Sequence, residues 1–217
     1  ENKKLKSIFL DNNFCKKNSE VGNLFESIVS LNIKELSFND NIIDIFFLKN
    51  LLKKNEIKIL HVKGIGNIDH EFVKILKRNK SLIELNLSNN GLGCLKENEI
   101  KDFFFSLRKS NIKKLYLEKN LIKDDDKIKN YIYYYLINNN FIEEIYLSKN
   151  YLVENINFLQ MLIANKFITN KLKKLKVRNS NEKRTFEYTQ DLYKIMVKFP
   201  KIKFGYYLTN IYNANNC

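Results

Sequence analysis

One pattern recurs along this chain with constant internal spacing, and no other feature limits its possible folds as severely. The template apolar-x-x-apolar-x-apolar-x-x-Asn-x-apolar fits Leu5-Ile8-Leu10-Asn13-Cys15 and Ile33-Leu36-Phe38-Asn41-Ile43. It returns complete at Leu82-Leu85-Leu87-Asn90-Leu92, Ile112-Leu115-Leu117-Asn120-Ile122 and Ile142-Ile145-Leu147-Asn150-Leu152. Two looser copies are Ile57-Leu60-Val62, with Ile65 at the Asn position and Asn67 at the last apolar one, and Leu172-Leu175-Val177, with Ser180 for Asn. Successive copies start 28, 24, 25, 30, 30 and 30 residues apart. Phe199, Ile202 and Phe204 have the spacing of a degenerate closing strand.

Alternation through the middle of the template predicts a short strand with its apolar side chains on one face. The Asn suits the turn that follows, where its amide can bond backbone groups that have left the sheet. Between the strands the period becomes helical, with apolar stripes Val21, Leu24, Phe25, Ile28; Phe72, Val73, Leu76; Ile100, Phe103, Phe104, Leu107; and Ile156, Leu159, Leu162, Ile163. A strand-plus-helix unit of this size has only its neighbours to bury against, so stability comes from stacking. One proline and six glycines in 217 residues leave no interdomain linker, so residues 1–217 read as a single domain.

This motif resembles the leucine-rich-repeat family, and its 28-to-30-residue spacing resembles the ribonuclease-inhibitor-like subclass, over about residues 5 to 204. The resemblance implies an α/β fold: a right-handed solenoid arc of about seven repeats, with short parallel strands on the concave face and helices on the convex face. A C-terminal cap is expected over about residues 199–212. The subclass is also similar to the repeats of the Ran GTPase-activating protein and the actin-capping tropomodulins, which implies a GTPase- or actin-regulatory alternative. The repeat by itself carries no activity.

Neighbouring strands lie roughly 4.8 Å apart, so equivalent outward positions form columns on the concave face. The middle column reads Phe9, Ser37, His61, Asn86, Tyr116, Tyr146, Lys176. Beside it run Ser7, Glu35, Ile59, Glu84, Lys114, Glu144, Lys174, and then Lys6, Lys34, Lys58, Ile83, Lys113, Glu143, Lys173. Tyr116 and Tyr146 are expected side by side, and tyrosine is enriched where proteins dock. The expected contact surface is therefore Phe9, Glu35, His61, Glu84, Asn86, Lys114, Tyr116, Glu144, Tyr146, Lys174 and Lys176. The competing reading is that Lys114, Glu144 and Lys174 neutralise one another across strands. The lysine column along the rim reads as a solvated face before it reads as a phosphate site. On the helical side, Tyr131-Ile132-Tyr133-Tyr134-Tyr135 is mostly core, with one tyrosine facing out.

Catalytic, metal and cofactor chemistry finds no foothold, and none is expected. Gly64-Ile65-Gly66 lacks the third glycine of a dinucleotide turn, since Asp69 stands there. His70-Glu71 lacks the second histidine of a zinc-protease helix, with Lys74 in its place. Asp124-Asp125-Asp126 precedes a helix, where carboxylates cap amides. Three widely spaced cysteines, Cys15, Cys94 and Cys217, form neither a disulfide framework nor a zinc pattern, so cytoplasm or nucleus is the expected home. No apolar run approaches the roughly 20 residues of a membrane span, and the opening Glu1-Asn2-Lys3-Lys4-Leu5 has no apolar leader region. Residues 161–217 hold 12 of the lysines and arginines against 3 acidic residues, in a chain of net charge +14. A protein partner is the first expectation; nucleic acid or another acidic surface, met by that basic quarter, is the alternative.

Overall fold

The computed structural model describes residues 5–13, 19–54, 56–66, 68–154, 156–177, 186–200 and 203–204. Cys15, Asn67, Ser180, Ile202, the Val21 side chain and most of the expected cap lie outside the described residues.

Each strand is three residues long except the last. Among the described residues they are β1 Ser7–Phe9, β2 Glu35–Ser37, β3 Ile59–His61, β4 Glu84–Asn86, β5 Lys114–Tyr116, β6 Glu144–Tyr146, β7 Lys174–Lys176 and β8 Lys203–Phe204. They form one sheet in chain order, every pair parallel. The central residue of each strand pairs with its counterpart, Leu85 with Leu115 and Leu115 with Ile145. The register is thus the one that the template dictates, and the two loose copies and the closing strand keep it.

Between strands run α1 Ser19–Ser30, α2 Ile45–Lys54, α3 His70–Arg78, α4 Glu97–Leu107, α5 Asp126–Asn138, α6 Ile156–Ala164, α7 Lys166–Lys171 and α8 Phe186–Lys198. They pack in chain order from α1 to α5. Packed helices need 8–10 Å between axes, about twice the strand spacing. The stack therefore curves, with strands inside and helices outside. Caps begin several helices: Asp69 Oδ1 accepts from Phe72 N at 2.8 Å, and Asp125 Oδ1 from Lys127 N and Ile128 N at 2.9 and 3.1 Å. The two aspartates beside Asp125 each pair with Lys129 at 2.8 Å, so this acidic run serves α5 as expected.

The core is one continuous cluster between sheet and helices, and Leu36, Leu60, Leu85, Leu115, Ile145 and Leu175 are all fully buried in it. Burying each such side chain is worth about 1.5–3 kcal/mol. One stripe residue departs from expectation. Leu24 is 38% exposed, whereas Phe25 and Ile28 are buried. Phe25 stacks on Phe47 at 4.0 Å and meets Phe38 edge-on at 5.6 Å, which turns α1 so that Leu24 falls at the margin of its apolar arc.

The repeat's asparagines form a second, polar spine. Asn120 Nδ2 donates to Leu87 O at 2.9 Å, while its Oδ1 accepts from Asn90 N at 2.8 Å and Leu92 N at 3.3 Å. Asn150 repeats this toward Leu117 O, Asn120 N and Ile122 N, at 2.8, 2.9 and 3.2 Å. Each side chain thus satisfies backbone groups of the preceding repeat that have no partner in the sheet. The repeats also approach closely here: a Cβ on Gly93 would lie 2.0 Å from Leu121 O, so only glycine fits.

Candidate concave docking site

Register brings most of the expected surface together. Tyr116 pairs with Tyr146 across β5 and β6, and their rings stack with centroids 4.2 Å apart and planes 16° from parallel. On the β3 side, the His61 ring meets Tyr116 edge-on at 6.1 Å, and its Nε2 lies 3.0 Å from Glu84 Oε1. The other Glu84 oxygen pairs with Lys114 Nζ at 3.4 Å. On the β7 side, Lys174 and Lys176 place their Nζ atoms 4.9 and 5.8 Å from the Tyr146 ring centroid, within cation–π reach. The Tyr146 hydroxyl donates to Glu144 Oε2 at 2.6 Å.

Two details change the sequence reading. Tyr146 is only 7% exposed, so it is not the free outward anchor that its column position implies. Lys176 reaches across it to Glu118 Oε1 at 3.0 Å, and that ion pair together with Lys174 roofs the ring. Tyr116, half-buried, is the tyrosine that remains presented. Secondly, Lys114, Glu144 and Lys174 do not simply neutralise one another. Lys114 takes Glu84 as its ion-pair partner, and Glu144 spends an oxygen on the Tyr146 hydroxyl.

Electrostatics follow from these contacts. The Glu84 carboxylate raises the Lys114 ammonium above its ordinary range, so the lysine stays charged. Burial, then Glu84, pushes the Tyr116 phenol up; burial, then the Glu144 hydrogen bond, does the same to Tyr146. Both phenols are neutral at physiological pH, and the cluster offers one stacked aromatic pair ringed by held charges.

Other members of the expected set lie apart or serve the scaffold. Phe9 is 61% exposed at the β1 end and pairs with Ser37, not with the tyrosines. Glu35 accepts from the Ser7 hydroxyl at 3.0 Å. Asn86, next to Tyr116 in register, accepts from Ser88 N at 2.9 Å and shapes the turn below β4. Glu118 lies two residues past β5 and so outside the strand columns, and no sequence signal marks it as the partner of Lys176. The lysine rim is partly neutralised, with Lys34 on Glu56 at 3.0 Å and both Lys113 and Lys173 on Glu143 at 3.5 and 2.6 Å. Tyr134 is the outward tyrosine of α5, and Tyr135 is buried.

Among the described residues, no group of His, Cys, Asp and Glu is arranged to hold a metal, and no helix is long and apolar enough to cross a membrane. No protein-family model matches the sequence, and neither does any curated protein. Solved structures do resemble it. A tropomodulin C-terminal domain from Caenorhabditis elegans aligns with a TM-score of 0.52 at 14% identity, covering 64% of this chain and 86% of that one. The leucine-rich-repeat-containing protein LegL7 from Legionella pneumophila aligns with a TM-score of 0.50 at 16% identity, covering 87% of this chain and 69% of that one. The fold is a leucine-rich-repeat solenoid. At these identities, 14% and 16%, the likeness is one of architecture alone.

Proposed function

We propose that this solenoid is a non-enzymatic interaction module that docks a protein partner on its concave sheet, centred on Tyr116. The observation that carries this reading is the Tyr116–Tyr146 stack at 4.2 Å, locked between His61–Glu84 on one side and the Lys174 and Lys176 heads on the other. A ring already fixed in place loses little entropy when a partner covers it, and tyrosine is enriched among the few residues that carry most of an interface's energy. Tyr146 acts from beneath as the platform that orients Tyr116.

The test is a paired affinity purification from the native cell with wild-type and Tyr116→Ala baits, followed by titration of each protein recovered. A true concave partner binds the wild type and loses about tenfold or more in affinity to Tyr116→Ala, with the variant's thermal unfolding unchanged. A partner that binds both baits equally places the contact elsewhere.

The rival reading, acidic-surface or nucleic-acid binding, rests on the 12 basic against 3 acidic residues of 161–217, of which Arg178, Glu182, Lys183, Arg184 and Lys201 lie outside the described residues. It requires affinity that collapses as salt rises, since each neutralised phosphate steepens the salt dependence. A GTPase- or actin-regulatory role has no side chain in the concave cluster that distinguishes it from other protein docking.

A further inference from the structure

On the opposite face, α3 and α4 leave a groove of about 400 Å³ between them. Its walls have matching spacing. One is His70, Val73, Lys74 and Lys77 of α3; the other is Asp102, Phe105, Ser106 and Lys109 on α4 and its end, with Arg108 beside it. Steps of three and four residues put each set on a single helical stripe, so two parallel stripes face one another across the gap. Val73 and Ser106 are buried and Phe105 is half-buried, giving a floor with an apolar strip.

The rim is basic. Lys74 pairs with Glu71 at 2.6 Å, but among the described residues Lys77, Arg108 and Lys109 have no carboxylate partner. The Arg108 guanidinium lies 4.8 Å from the Phe105 ring centroid, and Lys101 Nζ lies 5.6 Å from it. Cations near the end of a helix are favoured by its dipole, which accounts for Lys77 and Lys109 singly. It does not account for their convergence on one gap from two helices, or for the aromatic ring that lines the gap with them.

We propose that this groove docks an acidic protein segment, which seats an apolar side chain against Phe105 and Val73 and sets its carboxylates against Lys77, Arg108 and Lys109. Charge complementarity selects the occupant: carboxylates replace the missing partners of three cations, and the apolar floor demands more than charge. This surface is independent of the concave reading, and both can be occupied at once because they lie on opposite faces of the arc.

The experiment uses the intact chain and a short fluorescein-labelled peptide repeating Glu-Glu-Leu, read by fluorescence anisotropy. Wild type binds it, and the exposed double reversal Lys77→Glu with Lys109→Glu weakens binding by about tenfold or more, because like charges now meet across the contact. A charge-matched control on another surface, Lys123→Glu with Lys149→Glu, and Tyr116→Ala both bind as wild type does. Replacing leucine by serine in the peptide also weakens binding, and peptide addition shifts the Val73 methyl resonances. Unchanged thermal unfolding of the reversal variant shows that the fold is intact. The proposal is overturned by any of four results: no binding, equal loss in the control pair, indifference to leucine, or single-stranded DNA binding the same groove more tightly than the peptide.

Discussion

In the repeats that begin at Leu82, Ile112 and Ile142 the chain leaves its strand through a turn braced by asparagine. The repeat that begins at Ile57 leaves through Gly64-Ile65-Gly66. The backbone path is similar: Lys119 and Leu121 adopt φ of 57° and 58°, while Gly64 and Gly66 adopt 67° and 92°. The means differ. A left-handed conformation costs a non-glycine residue roughly 1–2 kcal/mol, and the buried amides of Asn120 and Asn150 offset that cost by each bonding the turn of the repeat before it. Glycine has no such strain to offset.

The loose repeat nonetheless keeps its phase, because service runs backward along the stack. Asn90 Oδ1 accepts from Ile65 N at 2.9 Å and Gly66 N at 3.1 Å, so the next repeat supports the one that lacks an asparagine. What Ile65 withholds is support for the repeat before it. There Lys63 contributes instead, by an ion pair to Asp40 at 2.8 Å and a backbone bond from its N to Asn39 Oδ1 at 2.9 Å. The turns of the Ile57, Leu82 and Ile112 repeats thus each receive an amide from the next repeat, and the Ile57 repeat differs in passing none back and in using glycine at both positive-φ positions.

That contrast can be broken by substitution. Asn120→Ala is expected to cost about 3 kcal/mol or more in urea unfolding, since it leaves several buried backbone groups unsatisfied at about 1–3 kcal/mol each. Ile65→Ala, at the same template position, should cost only about 1–2 kcal/mol, because it removes half-buried apolar surface and no hydrogen bond. Equal costs would mean that asparagine is not the brace. Gly64→Ala should lose about 1–2 kcal/mol from its positive φ, compounded by a Cβ placed 2.3 Å from Asp40 Oδ1. Lys119→Gly, the mirror experiment in a braced turn, should change stability by less than about 1 kcal/mol, as relief of strain and added chain entropy oppose each other. The braced region also holds one defect. The Tyr135 hydroxyl is buried with no hydrogen-bond partner among the described residues, so Tyr135→Phe should raise stability by about 1 kcal/mol.

Most of the architecture was legible beforehand, because strand register and the buried column follow directly from where the template's apolar residues stand. Tyr116 beside Tyr146 is a consequence of that register. The burial of Tyr146 was not legible, since it depends on the Lys174 and Lys176 ammonium groups reaching over the ring, and periodicity says nothing about side-chain paths. Leu24 escaped for a related reason: its position lies at the edge of an apolar arc whose orientation is set by the Phe25–Phe47 stack, a contact between repeats. The α3–α4 groove was invisible because each wall, taken alone, reads as an ordinary solvated helix face.

The account stands on consecutive units being adjacent, same-direction strands over a shared interior. Nuclear Overhauser spectroscopy of the chain with labelled aromatic rings tests this most directly. Stacked rings 4.2 Å apart must give strong cross-peaks between Tyr116 and Tyr146 ring protons, with weaker ones from Tyr116 to the His61 ring at 6.1 Å. If the Tyr116–Tyr146 cross-peaks are absent from a folded sample, the two strands are not neighbours, and the concave site is gone with them.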